Sequence, residues 1–199
     1  YFVKELKKHV NVPVTYCDNN YYWKNQLKEV AQYVDFISIH IYPVWLGANV
    51  IDGIQMSINE LNEIKALYPN KQIIITETGW PTDSNGGQIP KNHANESNQL
   101  LFNSEIDKYT ENNGIICFFF EAFDEQWKDA QNANGSENHF GLINLKGEAK
   151  YALWDLVDKG VFNGLTRDGQ EIKKTYNGDK DALIKEVLVP PTEYGMVHN

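Results

Sequence analysis

The sequence is poor in cysteine and methionine, with two of each in 199 residues. Cys17 and Cys117 stand far apart, without the close pairing of a metal-binding or redox motif, and read as buried free thiols. Basic residues are the second scarcity. Eighteen Lys and Arg face 27 Asp and Glu, a net charge of −9. That balance excludes a nucleic-acid partner, since phosphate neutralisation needs clustered cations. Nowhere does an apolar run reach the roughly 18 residues of a membrane span. Also lacking is the Gly-rich phosphate turn of doubly wound nucleotide-binding sheets.

What is present in quantity is aromatic surface: five Trp, eleven Tyr and nine Phe. With 42% hydrophobic residues the chain has the composition of a globular domain. Four apolar, β-branched runs recur: Val12 to Cys17, Val34 to Ile41, Gln72 to Thr78 and Gly114 to Phe120. Between them lie stretches with apolar residues at three- and four-residue spacing. One carries Leu27, Val30 and Ala31; the next carries Ile54, Ile58, Leu61, Ile64 and Leu67; a third carries Leu100, Leu101, Ile106 and Tyr109. Ala149 to Val157 reads as a last helix. This alternation predicts a parallel sheet with helical crossovers.

Polar and aromatic residues gather directly after each strand: Asp18-Asn19-Asn20, Tyr42-Pro43, Glu77, and Glu121 through Glu125. Such a gathering at one end of every strand is the pattern of a barrel's catalytic face. The expected fold is therefore α/β, a (β/α)8 TIM barrel of which this chain supplies about strands five to eight. Tyr1 to Val10 reads as the second half of an amphipathic helix, so the chain reads as a fragment. Residues 1–159 form the half-barrel in this reading. Residues 160–199, with the turn Thr166-Arg167-Asp168-Gly169 and the pair Pro190-Pro191, form a capping extension or linker.

Within this frame Ile73-Ile74-Ile75-Thr76-Glu77-Thr78-Gly79-Trp80-Pro81 is a buried strand ending at a carboxylate. An acid held there, with an indole three residues on, suits a carbohydrate site. His40 reads as a satisfied interior histidine, and no second ligand at metal spacing accompanies it. Asp18, Asn19 and Tyr22 are candidates for sugar hydroxyls, and turn chemistry accounts for Asp-Asn-Asn equally well. Trp45 and Trp127 read either as subsite walls or as core plugs. Asn95-Glu96-Ser97 and Asn134-Gly135-Ser136 match the glycosylation acceptor pattern, a weak signal.

Three segments together resemble glycoside hydrolase family 17, the β-1,3-glucanase family, in its fungal and bacterial branch. They are Ser38-Ile39-His40-Ile41-Tyr42-Pro43, Ile75 through Pro81, and Phe119 through Lys128. The resemblance covers roughly residues 1–157. It implies a retaining glycosidase acting on β-1,3-linked glucan with Glu77 as nucleophile, and it implies no cofactor or metal. Two carboxyl groups roughly 5–5.5 Å apart are needed for that chemistry. In the family the acid comes from an Asn-Glu pair ending strand four. Here Asn59-Glu60 lies mid-helix and Asn95-Glu96 at a loop or helix start, so the resemblance places the acid in a missing N-terminal half-barrel.

It further implies that Glu125, Lys128 and Glu137 form a charged cluster beside the site. Tyr42 and Trp80 are candidate stacking platforms, since sugar C–H faces pack on aromatic rings. The role of Glu121 stays open. A glucan substrate implies a secreted or cell-envelope protein. Two other readings remain: a glucan-binding module that does not cut, and a structural half-barrel that closes by association. Within the enzymatic reading, a glucanosyltransferase remodelling cell-wall glucan stands beside hydrolysis.

Overall fold

A computed structural model describes residues 1–187 of the chain. Four strands, β1 (Cys17–Asn19), β2 (Ile37–Ile41), β3 (Ile73–Thr78) and β4 (Cys117–Phe119), form one sheet in the order β1-β2-β3-β4. All three pairings are parallel. The helices are α1 (Phe2–Leu6), α2 (Asn20–Asn25), α3 (Val50–Leu67), α4 (Glu96–Asn112), α5 (Trp154–Asp158) and α6 (Lys180–Val187).

Two expectations about the first strand-helix unit are corrected. The run from Val12 enters the sheet only at Cys17. Upstream, Val14 is tied instead to Asp35, whose carboxylate accepts the Val14 N–H at 2.7 Å while its own N–H donates back at 2.8 Å. The stretch carrying Leu27, Val30 and Ala31 is not one helix. Asn19 caps α2 by accepting the Tyr22 N–H, α2 ends at Asn25, and Val30–Gln32 forms a separate 3-10 turn. A capping side chain decides where a helix starts, and here it starts early.

The long helices follow the spacing argument with a shifted face. In α3 the buried residues are Val50, Gly53, Ser57, Leu61 and Ile64; in α4 they are Gln99, Phe102, Ile106 and Thr110. Gly53 is in α3 because the Trp80 ring occupies the space that a Cβ would need, 2.7 Å away.

The core has two parts. Ile37, Ile39, Ile41, Ile73 and Ile75 pack with Trp23, Val34, Leu61 and Ile64. Val44, Val50, Trp80, Phe102, Ile106 and Phe140 form the second cluster. Because side chains alternate along a strand, the other face of the sheet carries Ser38 and His40 on β2, and Ile116 and Phe118 around β4. Ile116 and Phe118 are exposed, and so is Cys17. The expectation of two buried thiols therefore holds only in part: Cys117 on the edge strand β4 is half-buried against both clusters, whereas Cys17 on the edge strand β1 is exposed.

Residues 160–187 fold against the body. Short strands β5 (Glu148–Ala149), β6 (Thr166–Arg167), β7 (Gln170–Glu171) and β8 (Lys173–Lys174) make two small sheets, β5 with β8 and β6 with β7. Leu183 of α6 is buried, and the Thr175 hydroxyl donates to Glu96 at the start of α4. The pair Pro190-Pro191 lies outside the described residues.

Candidate active site

Glu77 stands one residue from the end of β3, beside a register shift that sequence periodicity does not show. Ile39 pairs with Ile75, but the next residue, His40, pairs with Glu77, so Thr76 is the extra residue of a bulge. Bulges re-aim a side chain at the edge of a sheet. Asn19 pairs with His40 in turn, so Asn19, His40 and Glu77 lie side by side across β1, β2 and β3.

The Glu77 carboxylate is partly open to solvent. Its Oε2 accepts the Tyr42 hydroxyl at 3.2 Å and lies 3.5 Å from His40 Nδ1. Tyr42 follows β2 directly, where Pro43 starts a 3-10 turn, and its ring packs edge-on against Phe120 and Phe140. Burial raises the Tyr42 phenol well above its ordinary range, and the Glu77 charge raises it further. The group therefore remains a hydrogen-bond donor to Glu77.

The loop after β4 supplies the second half of the site. It is pinned by backbone bonds, Phe120 N–H to the Thr78 carbonyl at 2.7 Å and Leu142 N–H to the Glu121 carbonyl at 2.9 Å. The Phe120–Glu121 peptide is cis. Gly79 has to be glycine, because a Cβ there would collide with the Phe120 carbonyl oxygen. Lys128 Nζ sits 2.8 Å from Glu121 Oε2, 3.4 Å from Glu125 Oε2 and 3.7 Å from the centre of the Phe120 ring.

Of the residues expected together, Glu125 and Lys128 are in contact. Glu121 is the carboxylate nearest Lys128, because the turn after β4 brings it inward. Among the described residues Glu137 makes no ion pair; it feels the charges of Lys128 and Glu77 from a greater distance. Burial raises the carboxyl groups of both Glu121 and Glu137, with Lys128 pulling each the other way.

Trp80 is corrected outright. It is fully buried, its ring packs on Phe102 at 5.0 Å, and its Nε1–H donates to the His93 carbonyl. No face is left for a ligand: an indole just past the strand end turns into the helix-sheet core. Asp18 and Asn19 are engaged locally. Asp18 accepts the Asn19 N–H, and Asn19 caps α2.

A buried network behind the loop escaped sequence reasoning. Lys150 and Asp124 pair at 2.7 Å with both side chains 3% exposed. Lys150 also donates to the Thr82 hydroxyl and the His139 carbonyl, and Asp124 accepts the Gly141 N–H. His139 Nδ1 is 3.7 Å from Asp124. Burial opposes its protonation, but Asp124 and the Ala133 carbonyl outweigh that and hold His139 above its ordinary value. No spacing rule joins residues 82, 124, 139 and 150. A cavity of about 440 Å³ opens beside this network, lined by Asp83, Lys91, Glu96 and Lys146 among others. Glu77, Tyr42 and Lys128 are not part of its wall, so it is separate from the carboxylate cluster. Among the described residues no His, Cys, Asp and Glu cluster has the geometry of a metal site.

Residues 2–141 match the BtgE/BtgC glycoside hydrolase domain. A protein of Aspergillus niger named for glucan endo-1,3-beta-glucosidase activity, btgC, is 33% identical over 174 residues, covering 75% of this chain and 25% of its own length. The crystal structure of an endo-laminarinase from Formosa Hel1_33_131 superposes with a TM-score of 0.83 at 36% identity, covering 96% of this chain and 59% of that one. A Rhizomucor miehei beta-1,3-glucanosyltransferase, solved with laminaritriose, shares the fold at a TM-score of 0.66 and 22% identity, covering 76% of this chain and 54% of that one. The chain thus spans about a quarter of the curated relative and under two thirds of the solved ones.

Proposed function

The chain belongs to the BtgE/BtgC glycoside hydrolase domain family, and on that premise we propose that it is the nucleophile-bearing part of a retaining hydrolase of β-1,3-linked glucan. One observation carries the reading: the Glu77 carboxylate, at the end of a parallel strand, is held on one oxygen by the Tyr42 hydroxyl. The other oxygen is left to attack.

In the first step a Glu77 oxygen bonds to the anomeric carbon through an oxocarbenium-like transition state, and the bond to the leaving sugar oxygen breaks. That oxygen takes a proton from a carboxylic acid. In the second step water, deprotonated by the same carboxylate, attacks the anomeric carbon and Glu77 leaves. Donation from Tyr42 steadies the ionised carboxylate and orients it. Glu125, Glu137 and the Lys128–Glu121 pair receive sugar hydroxyls beside it. A sugar hydroxyl in place of water would make the protein a transferase. Hydrolysis is favoured by the higher identity of the endo-laminarinase.

We assign the acid to a segment outside this chain, since neither Asn-Glu pair here ends a strand of the sheet: Asn59-Glu60 is inside α3, and Asn95-Glu96 caps and begins α4. The same segment would cover the exposed Ile116 and Phe118, because parallel sheets are stable when both faces are covered. Completion into a (β/α)8 barrel of glycoside hydrolase family 17, working at the cell surface or beyond it, is the form of the whole protein that this reading implies. A glucan-binding module that does not cut would use the same cluster without forming a covalent intermediate.

The test needs a substrate whose leaving group requires no proton. A 2,4-dinitrophenyl 2-deoxy-2-fluoro-β-laminaribioside should leave one glycosyl adduct on Glu77, read by peptide mass spectrometry, and none in Glu77→Gln. Labelling of a different carboxylate, or no labelling, would overturn Glu77 as the nucleophile.

A further inference from the structure

Five tryptophans in this chain meet very different fates. Trp23 and Trp80 are fully buried, Trp154 is 5% exposed, and Trp45 is half-buried against Phe140. Trp127 is 72% exposed. Leaving an indole in water forgoes one of the largest burial gains available to any side chain. The backbone explains how it is held out. Lys128 N–H closes a turn onto the Glu125 carbonyl at 3.2 Å, which brings Glu125 and Lys128 together and leaves Trp127, one of the two residues between them, on the outside.

The second observation is independent. Glu121 Oε2 is bonded to Lys128, but Oε1 is buried without a hydrogen-bond partner among the described residues. A buried acceptor left unpaired is costly, and an ionised one more so. It needs a donor from elsewhere. Lys128 links the two features, lying 2.8 Å from Glu121 and 5.8 Å from the centre of the Trp127 ring.

We propose that Trp127 and Glu121, bridged by Lys128, form a sugar subsite that takes one glucopyranosyl ring of the glucan. The inference rests on the glucan reading above and adds to it the residues that hold the chain. The apolar C–H face of the pyranose lies on the exposed indole, and an equatorial hydroxyl at the ring's edge donates to Glu121 Oε1. Lys128 fixes the carboxylate by one oxygen, and the hydroxyl donates to the other. A flat apolar ring beside a fixed acceptor suits a neutral, hydroxyl-rich ring. It does not suit an acidic sugar, which would meet Glu121, Glu125 and Glu137 together.

The test is laminarihexaose binding, with affinities measured by titration calorimetry in every variant and acrylamide quenching of tryptophan emission added in the unmodified chain. Quenching reads Trp127 above all, since the other four rings are buried or half-buried. The hexasaccharide should shield the emission of the unmodified chain. Trp127→Ala should bind about ten-fold more weakly, the loss expected for one uncovered aromatic face, and Glu121→Gln should weaken binding while retaining the bond to Lys128. Both positions lie in the surface loop, so each variant keeps the core. If Trp127→Ala binds as tightly as the parent, the subsite is overturned and the glucan reading stands. If the parent chain binds no laminarihexaose yet Glu77 is labelled by the fluorosugar, the subsite again falls alone. If neither occurs, both fall.

Discussion

Lys150 and Asp124 form a buried ion pair that joins three loops around the candidate site. Through it the segment after β3 (Thr82), the loop after β4 (Asp124) and the return segment at His139 to Gly141 are tied to one ammonium group. Burial pulls the Lys150 ammonium below its ordinary value, and Asp124 pulls it back. Removing one partner strands the other without compensation. Lys150→Met should therefore lower unfolding stability by about 3–5 kcal/mol, read from urea midpoints. The double variant with Asp124→Asn should lose less than the sum of the two single losses. Additive losses would mean that the two groups do not depend on one another.

Tyr42 should matter to the rate of the chemical step more than to binding. Tyr42→Phe keeps the ring between Phe120 and Phe140 and deletes the donor to Glu77. A hydrogen bond to a charged group is worth about 1.5–3 kcal/mol, so labelling of Glu77 by the fluorosugar should slow roughly 10- to 100-fold. An unchanged labelling rate would show that the bond does not serve the nucleophile.

Glu96 carries a pH dependence of stability. Burial raises its carboxyl above the ordinary carboxylate range, outweighing the Thr175 hydroxyl, the Tyr151 N–H and Lys150. A carboxyl raised in the fold binds its proton more tightly when folded than when unfolded. Its ionised form therefore costs stability once the pH exceeds the folded value, and that cost is gone below the unfolded value. Glu96→Gln should be more stable than the parent at neutral pH by a margin that shrinks as the pH falls toward about 4. Thermal midpoints across that range measure it; a margin independent of pH would refute the assignment.

The two thiols should separate cleanly in reactivity. Cys17 is exposed, whereas burial pushes the half-buried Cys117 up to about 12. At about pH 8 an aromatic disulfide reagent should titrate one thiol in the native chain and two in denaturant, since the thiolate is the reacting form. Two native thiols would show that the covering of β4 opens readily.

Much of this arrangement was legible in the residues. Ile73-Ile74-Ile75 has no polar face, so it had to be a strand covered on both sides, and the Thr-Glu-Thr-Gly-Trp-Pro that follows marked its end. Glu77 at that end, Tyr42 after β2 and Glu125 with Lys128 after β4 follow from the same logic, because chain order puts each of them one step beyond a parallel strand. The three- and four-residue spacing likewise located α3 and α4. Sequence determined these features since each depends on neighbours a few residues away.

Tertiary structure decided the rest. Trp80 and Trp127 are both loop indoles in the sequence, yet one is covered by Phe102 and the bare backbone of Gly53 while the other is held in solvent by a tight turn. The Thr76 bulge depends on how β2 and β3 align, which neither strand encodes alone. Lys128 chose Glu121 over Glu137 because a loop pinned to Thr78 and Leu142 brought it close. The Asp124–Lys150 pair joins residues far apart along the chain. These outcomes are long-range packing and electrostatics, and no local pattern of residue types carries them.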